Sequence, residues 1–278
     1  MLKGIALTIG LNAVDPSHYG GWSGKLNACE ADANDMAEIA GAGGLAVKTL
    51  LTREATRTNV IDEISRAAKT LVAGDIFLLT YSGHGGQLPD LNSDEADAQD
   101  ETWCLYDGQL VDDETYALLT KFPRRTRILV FSDSCHSGTA VKMAFYNPAA
   151  MTPIFRGASA ETRYRYMPQE VAQRTYRNNR QLYDPILKDP ELRNTRDAVR
   201  ASVILISGCQ DNQLSADGAF NGLFTSNLLQ VWNHGKFRGD YRAFHRTIVS
   251  RMPPDQTPNY FRVGQVNRRY ERQTPFTI

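Results

Sequence analysis

Two apolar runs in this chain end in the same way, and that limits the folds open to it. Residues 76–81, Ile-Phe-Leu-Leu-Thr-Tyr, lead straight into Ser82-Gly83-His84-Gly85-Gly86. Residues 128–131, Ile-Leu-Val-Phe, lead straight into Ser132-Asp133-Ser134-Cys135-His136-Ser137-Gly138. Both runs are continuous rather than alternating, as strands buried on both faces are. Residues 5–9 and 203–206 are runs of the same kind. Helical patterns lie between the first two strands. One covers 29–39, with Met36 and Ile39 on one face. The other covers 58–71, with Val60, Ile61, Ile64, Ala67, Ala68 and Leu71 at helical spacing and Thr58 as the expected N-cap. Residues 224–232 and 241–252 also read as helices. Strand–helix–strand alternation predicts an α/β domain with a mostly parallel central sheet and helices on both faces. A chain of 278 residues suits one large domain and is marginal for two.

Charge and cysteine usage narrow the class. Lys plus Arg and Asp plus Glu both total 31, so the formal net charge is zero, which argues against nucleic acid or a membrane surface as partner. Cys29, Cys104, Cys135 and Cys209 are widely spread, with no CxxC pair, so neither a zinc site nor a disulfide scaffold is expected. No run approaches the roughly 20 apolar residues of a membrane helix, and the apolar start fits a buried strand better than a signal peptide. A cytoplasmic, monomeric protein without an organic cofactor is expected.

The chemistry lies at the two strand ends. In open α/β sheets the reactive crevice lies beyond the carboxyl ends of the strands. If the two runs are neighbours, His84 and Cys135 can approach there. A free thiol has a pKa near 8.5, so an imidazole within reach must take its proton and later return one to a leaving amine. The glycines let the backbone turn and a substrate approach, and the N–H groups of Gly85 and Cys135 are candidate oxyanion donors. A lone buried His or Cys is most often structural. Here both follow strands and are flanked by small residues, which favours catalysis. His136 is the lesser candidate for the base, because its ring would usually point away from its sequence neighbour.

Tyr81-Ser-Gly-His-Gly-Gly86 and Asp133-Ser-Cys-His-Ser-Gly138 resemble the His and Cys motifs of the metacaspases and their bacterial relatives, the orthocaspases. His84 and Cys135 lie 51 residues apart, the spacing of caspase-like chains. Asp-Ser-Cys stands where caspases carry Gln-Ala-Cys. The blocks Gly24-Lys-Leu-Asn-Ala-Cys29-Glu-Ala-Asp32, Ser207-Gly-Cys-Gln-Asp-Asn-Gln213 and Gly222-Leu-Phe-Thr225 are similar to further family segments. The resemblance implies a caspase-like fold over the single domain. A large-subunit-like part would cover about 1–140, an Arg-rich insertion 141–200, and a small-subunit-like part 201–278. It also implies a cysteine endopeptidase that cuts protein or peptide substrates after Arg or Lys, with Cys29, Asp32, Ser82 and Asp133 lining the pocket. Two carboxylates suit a guanidinium, which can be gripped by parallel hydrogen bonds. The bland alternatives are a first-turn helix acid for Asp32 and a loop residue for Asp133. An enzyme of this preference would meet many targets in its own Arg-rich stretch, so self-cleavage there is a further expectation.

Residues 90–101 hold six acids and no basic residue. Asp90, Asn92 and Asp94 are spaced two apart with Glu101 at the twelfth position, echoing a calcium loop. Glu95 replaces the glycine of an EF-hand, however, and the loop follows a strand. The resemblance implies Ca2+ stimulation through Asp100, Asp112 and Asp113; a solvated acidic loop holding no metal explains the same residues equally well. Two other functions fit the motifs: a catalytically silent interaction module that keeps the fold, and a cysteine peptidase cutting after Asn or Asp.

Overall fold

The computed structural model describes residues 2–92, 98–134, 163–193, 195–208, 216–217, 220–254 and 256–278. The predicted runs become β1 (Gly4–Gly10), β3 (Ile76–Ser82), β7 (Arg127–Asp133) and β9 (Ser202–Ser207), all mutually parallel. Two edge strands were not anticipated. The parallel β2 (Ala46–Leu51) and the antiparallel β11 (Asn259–Gly264) complete a six-stranded sheet in the order β11-β9-β7-β3-β1-β2. Both are partly exposed, so neither carries the continuous apolar signature of the central strands.

Side chains alternate across the sheet, as strand geometry requires. Leu7, Ile9, Phe77, Leu79, Ile128 and Val130 pack on one face with Val60 and Ile64 of α2 (Arg57–Thr70) and Leu118 and Leu119 of α3 (Asp112–Thr120). Ala6, Leu78, Leu129, Phe131, Ile204 and Ile206 pack on the other. Their partners are Met36 and Ile39 of α1 (Cys29–Ala42), and two later helices that follow β9 in the chain. Each fully buried Leu, Ile or Phe contributes roughly 1.5–3 kcal/mol. The N-cap of α2 is Thr56 rather than Thr58: its side chain accepts from the Asn59 amide, and Thr58 lies inside the first turn.

A three-stranded antiparallel sheet, β4 (Gly85–Pro89), β5 (Gln99–Leu105) and β6 (Gly108–Val111), begins one residue after His84. The described part of the Arg-rich stretch, residues 163–193 and 195–200, is more ordered than its weak periodicity suggests. It contributes β8 (Arg163–Tyr164), α4 (Gln169–Asn178), α5 (Arg180–Leu187) and the short α6 (Thr195–Ala198). Met167, Val171 and Ala172 pack against Val14, Tyr19 and Cys104, and Tyr183 and Leu187 pack against Leu88 and Val111. Tyr183 Oη lies 2.6 Å from His18 Nε2, tying α5 to the loop after β1. Strand β10 (Ala216–Asp217) pairs antiparallel with β8. Helices α7 (Leu223–Trp232), α8 (Tyr241–Val249) and α9 (Arg268–Glu271) follow, with Phe224, Leu228, Phe244 and Ile248 filling the second core. Among the described residues no helix is long and apolar enough to cross a membrane.

Candidate active site

The register of the central strands sets the height of the reactive groups. Ser82 of β3 pairs with Asp133 of β7, so positions 84 and 135 are each two residues beyond the same rung. Cys135 and His136 lie outside the described residues. His84 is 5 % exposed, and its main chain is held from two sides: its carbonyl accepts from Tyr81 Oη at 2.7 Å and from the Cys104 amide at 2.9 Å. The ring is equally constrained. Nε2 lies 2.9 Å from the carbonyl oxygen of Gly24, and the Trp22 ring packs against it at 4.7 Å. A carbonyl only accepts, so Nε2 carries the proton and Nδ1 keeps its lone pair. Burial pushes the imidazole down to about 4, against the pull of the Gly24 carbonyl, so it is neutral at pH 7 and able to act as a base. Gly24 has φ of +50°, and a Cβ there would stand 2.9 Å from His84 Nε2, so only glycine brings this carbonyl to the ring.

Four elements build the pocket beside it. Asp32 on α1, Ser82 at the end of β3, Asp133 at the end of β7 and Asp217 on β10 converge on one guanidinium, that of Arg165 from the chain itself. Arg165 Nη2 lies 2.8 Å from Asp32 Oδ2 and 3.0 Å from Asp217 Oδ1, and Nη1 lies 3.0 Å from Asp133 Oδ2, with the arginine side chain fully buried. Nη1 also donates to Ser82 Oγ at 2.8 Å. The carboxylates are themselves braced. Asp32 accepts from Ser82 Oγ, Asn221 Nδ2 and the Gly222 amide. Asp133 accepts from the amide and hydroxyl of Thr225, and Asp217 from the Asn27 amide. A Cβ on Gly222 would lie 2.5 Å from Arg165 Nη2, so that glycine leaves room for the guanidinium.

Burial pushes Asp32 up to about 6, against the pull of Arg165 and with the push of Asp133. Burial alone would lower Arg165, but Asp133, Asp32 and Asp217 outweigh it and hold the guanidinium charged. Cys29 is a buried thiol that burial pushes up to about 12, so it is a neutral wall of the pocket rather than a nucleophile. The Asn12 side chain caps the helix that carries it, accepting from the amides of Cys29 and Glu30.

The main chain of Arg165 is also engaged. Its carbonyl accepts from the Gly85 amide at 3.0 Å, and the Met167 amide donates to the Gly85 carbonyl at 2.8 Å. The N–H expected to serve an oxyanion therefore already holds a carbonyl.

The structure thus brings together His84, Gly85, Cys29, Asp32, Ser82 and Asp133. Sequence reasoning missed the Gly24 carbonyl, Trp22, Asp217 and the role of Arg165. No pattern of residue types marks a main-chain carbonyl, but Gly222 and Thr225, which brace the pocket acids, do fall in a block singled out from the sequence.

The expected metal ligands are arranged differently. Asp100 is buried on β5, and Asp112 and Asp113 open α3, where acids favour the helix dipole. Asn92 Nδ2 donates to Asp113 Oδ2 at 3.0 Å. Oxygen donors of this kind suit a hard cation such as Ca2+. Among the described residues, however, no three acidic, histidine or cysteine side chains group closely enough to hold one. Asp94, Glu95 and Asp97 lie outside the described residues.

Comparison with known proteins gives a consistent set of neighbours. A sequence profile of the caspase domain matches residues 3–273. Metacaspase-1 of Schizosaccharomyces pombe is 30% identical over 204 residues, which are 62% of this chain and 44% of that protein. Metacaspase-1 of Mycosarcoma maydis is 29% identical over 244 residues, 79% of this chain and 59% of that protein. The chain thus spans about half the length of these curated relatives. The crystal structure of protein GSU0716 from Geobacter sulfurreducens is 61% identical with a TM-score of 0.89, covering 99% of both chains. Caspase-1 from Spodoptera frugiperda shares the fold at a TM-score of 0.57 and 12% identity, covering 94% of this chain and 86% of that one.

Proposed function

We propose, from the premise that this chain belongs to the caspase-domain peptidase family, that it is a cysteine endopeptidase cutting after arginine, and more slowly after lysine. The observation that carries this reading is the pocket: three braced carboxylates and a serine hydroxyl grip a guanidinium next to a neutral imidazole. Arginine presents five donors in a planar fork and can serve all these acceptors at once; a lysine ammonium is a single point. Each hydrogen bond to a charged group is worth about 1.5–3 kcal/mol, so one such bond lost with lysine costs about tenfold or more in kcat/KM.

The Cys motif and the placement of His84 support the following mechanism. A substrate arginine takes the place of Arg165 in the pocket, and its carbonyl meets the Gly85 amide. His84 Nδ1, its lone pair fixed by the Nε2–Gly24 bond, takes the proton of the Cys135 thiol. The thiolate attacks the carbonyl carbon, and the Gly85 and Cys135 amides hold the oxyanion. His84 passes its proton to the leaving nitrogen, and water then releases the acyl group from the sulfur.

The test is hydrolysis of fluorogenic peptides ending in Arg, Lys, Asp or Asn by wild type and Cys135→Ala. Cleavage in the order Arg, then Lys, with none by Cys135→Ala, is expected. A preference for Asn or Asp, or full activity in the alanine variant, contradicts the reading.

A further inference from the structure

The guanidinium pocket lies on one face of the sheet, at the carboxyl ends of its strands. On the other face the core leaves a cavity, and we infer that it is a second ligand site, taking a small aromatic amine whose presence is felt at His84.

Strand register builds the cavity. Val130 of β7, Leu205 of β9 and Phe261 of β11 form one rung across three strands. Ser132 and Ser207 form a second rung two residues further on. Side chains alternate along a strand, so both rungs face α2 and α3, and Asp133 faces the opposite way. From above, Asp112, Thr115, Tyr116 and Leu119 share one side of α3 by their spacing, and Trp103 of β5 adds a further wall. Together these residues line a cavity of about 120 Å³. Protein interiors seldom leave a void much larger than a water molecule, and an apolar cavity of about 150 Å³ holds a benzene ring. Phe261 is 36 % exposed on an edge strand, which puts the entrance at that edge.

The lining sets the chemistry of the ligand. Trp103, Leu119 and Val130 are buried. With Tyr116 and Phe261 they offer three rings and two aliphatic side chains to a flat apolar body. The charged groups are both acidic: Glu101 and Asp112 are half-buried, and among the described residues no Lys, Arg or His lines the cavity. The remaining polar side chains there carry hydroxyls, Ser132 and Ser207 among them. An ionised carboxylate only accepts hydrogen bonds, and aromatic faces attract cations. A protonated amine on one ring therefore suits this lining, whereas a ring bearing a carboxylate would meet two like charges.

Two of the walls reach the active site. The Trp103 ring stacks on Tyr81 at 4.5 Å, and Tyr81 Oη donates to the His84 carbonyl at 2.7 Å. Ser132 directly precedes Asp133 of the guanidinium pocket, and its Oγ lies 2.9 Å from that of Ser134. A ring seated against Trp103 thus acts on the tyrosine that holds His84.

The experiment titrates the full chain with benzylamine, benzyl alcohol and phenylacetate by calorimetry and follows the histidine ring signals by NMR. Benzylamine should bind about tenfold or more tighter than benzyl alcohol, the worth of one hydrogen bond to a charged group. Phenylacetate should bind more weakly than either, and the His84 signal should move as the amine is added. Leu205→Phe, which fills the cavity, should abolish binding. Binding that survives in this variant would place the amine elsewhere, the guanidinium pocket included, and overturn the site. Because a larger core side chain can also unfold a chain, Glu101→Gln combined with Asp112→Asn is run beside it and should bring the amine down to the affinity of the alcohol. Unchanged affinity in that double variant, no binding of benzylamine to wild type, or a His84 signal that stays still at saturation also overturns the inference. Binding is read without turnover, so none of these outcomes depends on the peptidase reading.

Discussion

Two sets of three aspartates behave in opposite ways. Asp32, Asp133 and Asp217 come from three distant stretches of the chain and meet on one guanidinium. Asp100, Asp112 and Asp113 are close in sequence, yet among the described residues they are not part of any group able to hold an ion. The difference shows that strand register, not sequence proximity, makes the first set a site. Ser82 and Asp133 share a rung, the capped start of α1 delivers Asp32 alongside them, and β10 closes the third side. Convergence of like charges is costly unless a cation is present: breaking a buried ion pair by removing one partner costs about 3–5 kcal/mol. A pocket of this kind is therefore built around its occupant.

The largest effect that could break this comparison is expected at Asp133, which offers Arg165 both a carboxylate oxygen and, at 3.3 Å, its main-chain carbonyl. Asp133→Asn should lower kcat/KM for Arg peptides about 100-fold or more, the size of one buried pair. Asp217, a single contact on a two-residue strand, should cost about tenfold. Equal losses at both positions, or no loss, would show that the pocket acids do not read the substrate.

A smaller effect sharpens the electrostatics. Asp32 titrates near 6 because burial raises it, so it is ionised above that pH and takes up a proton below. As pH falls from 7 to 5, KM for Arg peptides should rise several-fold, while His84, held down to about 4 by burial, stays neutral. The effect on stability runs the opposite way to the effect on KM. A carboxyl raised in the folded state binds more protons folded than unfolded between about 4 and 6, so its contribution is greatest below that window and is lost as pH rises through it. Asp32→Asn should flatten the KM profile; an unchanged acid limb would move the titration to another group.

The smallest effect concerns the second set. If further donors complete a cation site at these acids, millimolar calcium raises activity a few-fold and Asp112→Ala combined with Asp113→Ala abolishes the response. Equal rates in calcium and in chelator would leave these acids as helix-start residues.

The central sheet was legible because β3 and β7 are buried on both faces and carry that fact as unbroken apolar runs. His84 could be read for the same reason: it follows such a run with a glycine on each side. The edge strands β2 and β11 were not legible, since half-exposed strands lose the pattern. Resemblance supplied Cys29, Asp32, Ser82 and Asp133, and their chemistry agreed. Asp217 had no such cue, because a two-residue strand has no periodicity. Arg165 was one arginine among many; only the ladder to β10 and the Gly85 amide distinguish it, and both are tertiary facts. The Gly24 carbonyl, which fixes the imidazole, carries no side-chain signal at all.

The central claim is that this pocket recognises a positive charge in a planar fork. The most direct measurement compares kcat/KM for two peptides identical except for arginine or citrulline at the cleavage position, the second matching the first in shape but lacking the charge. A loss of about 1000-fold or more with citrulline is expected, since the carboxylates would then face a neutral group in a dry site. Similar rates for the two peptides would contradict the claim.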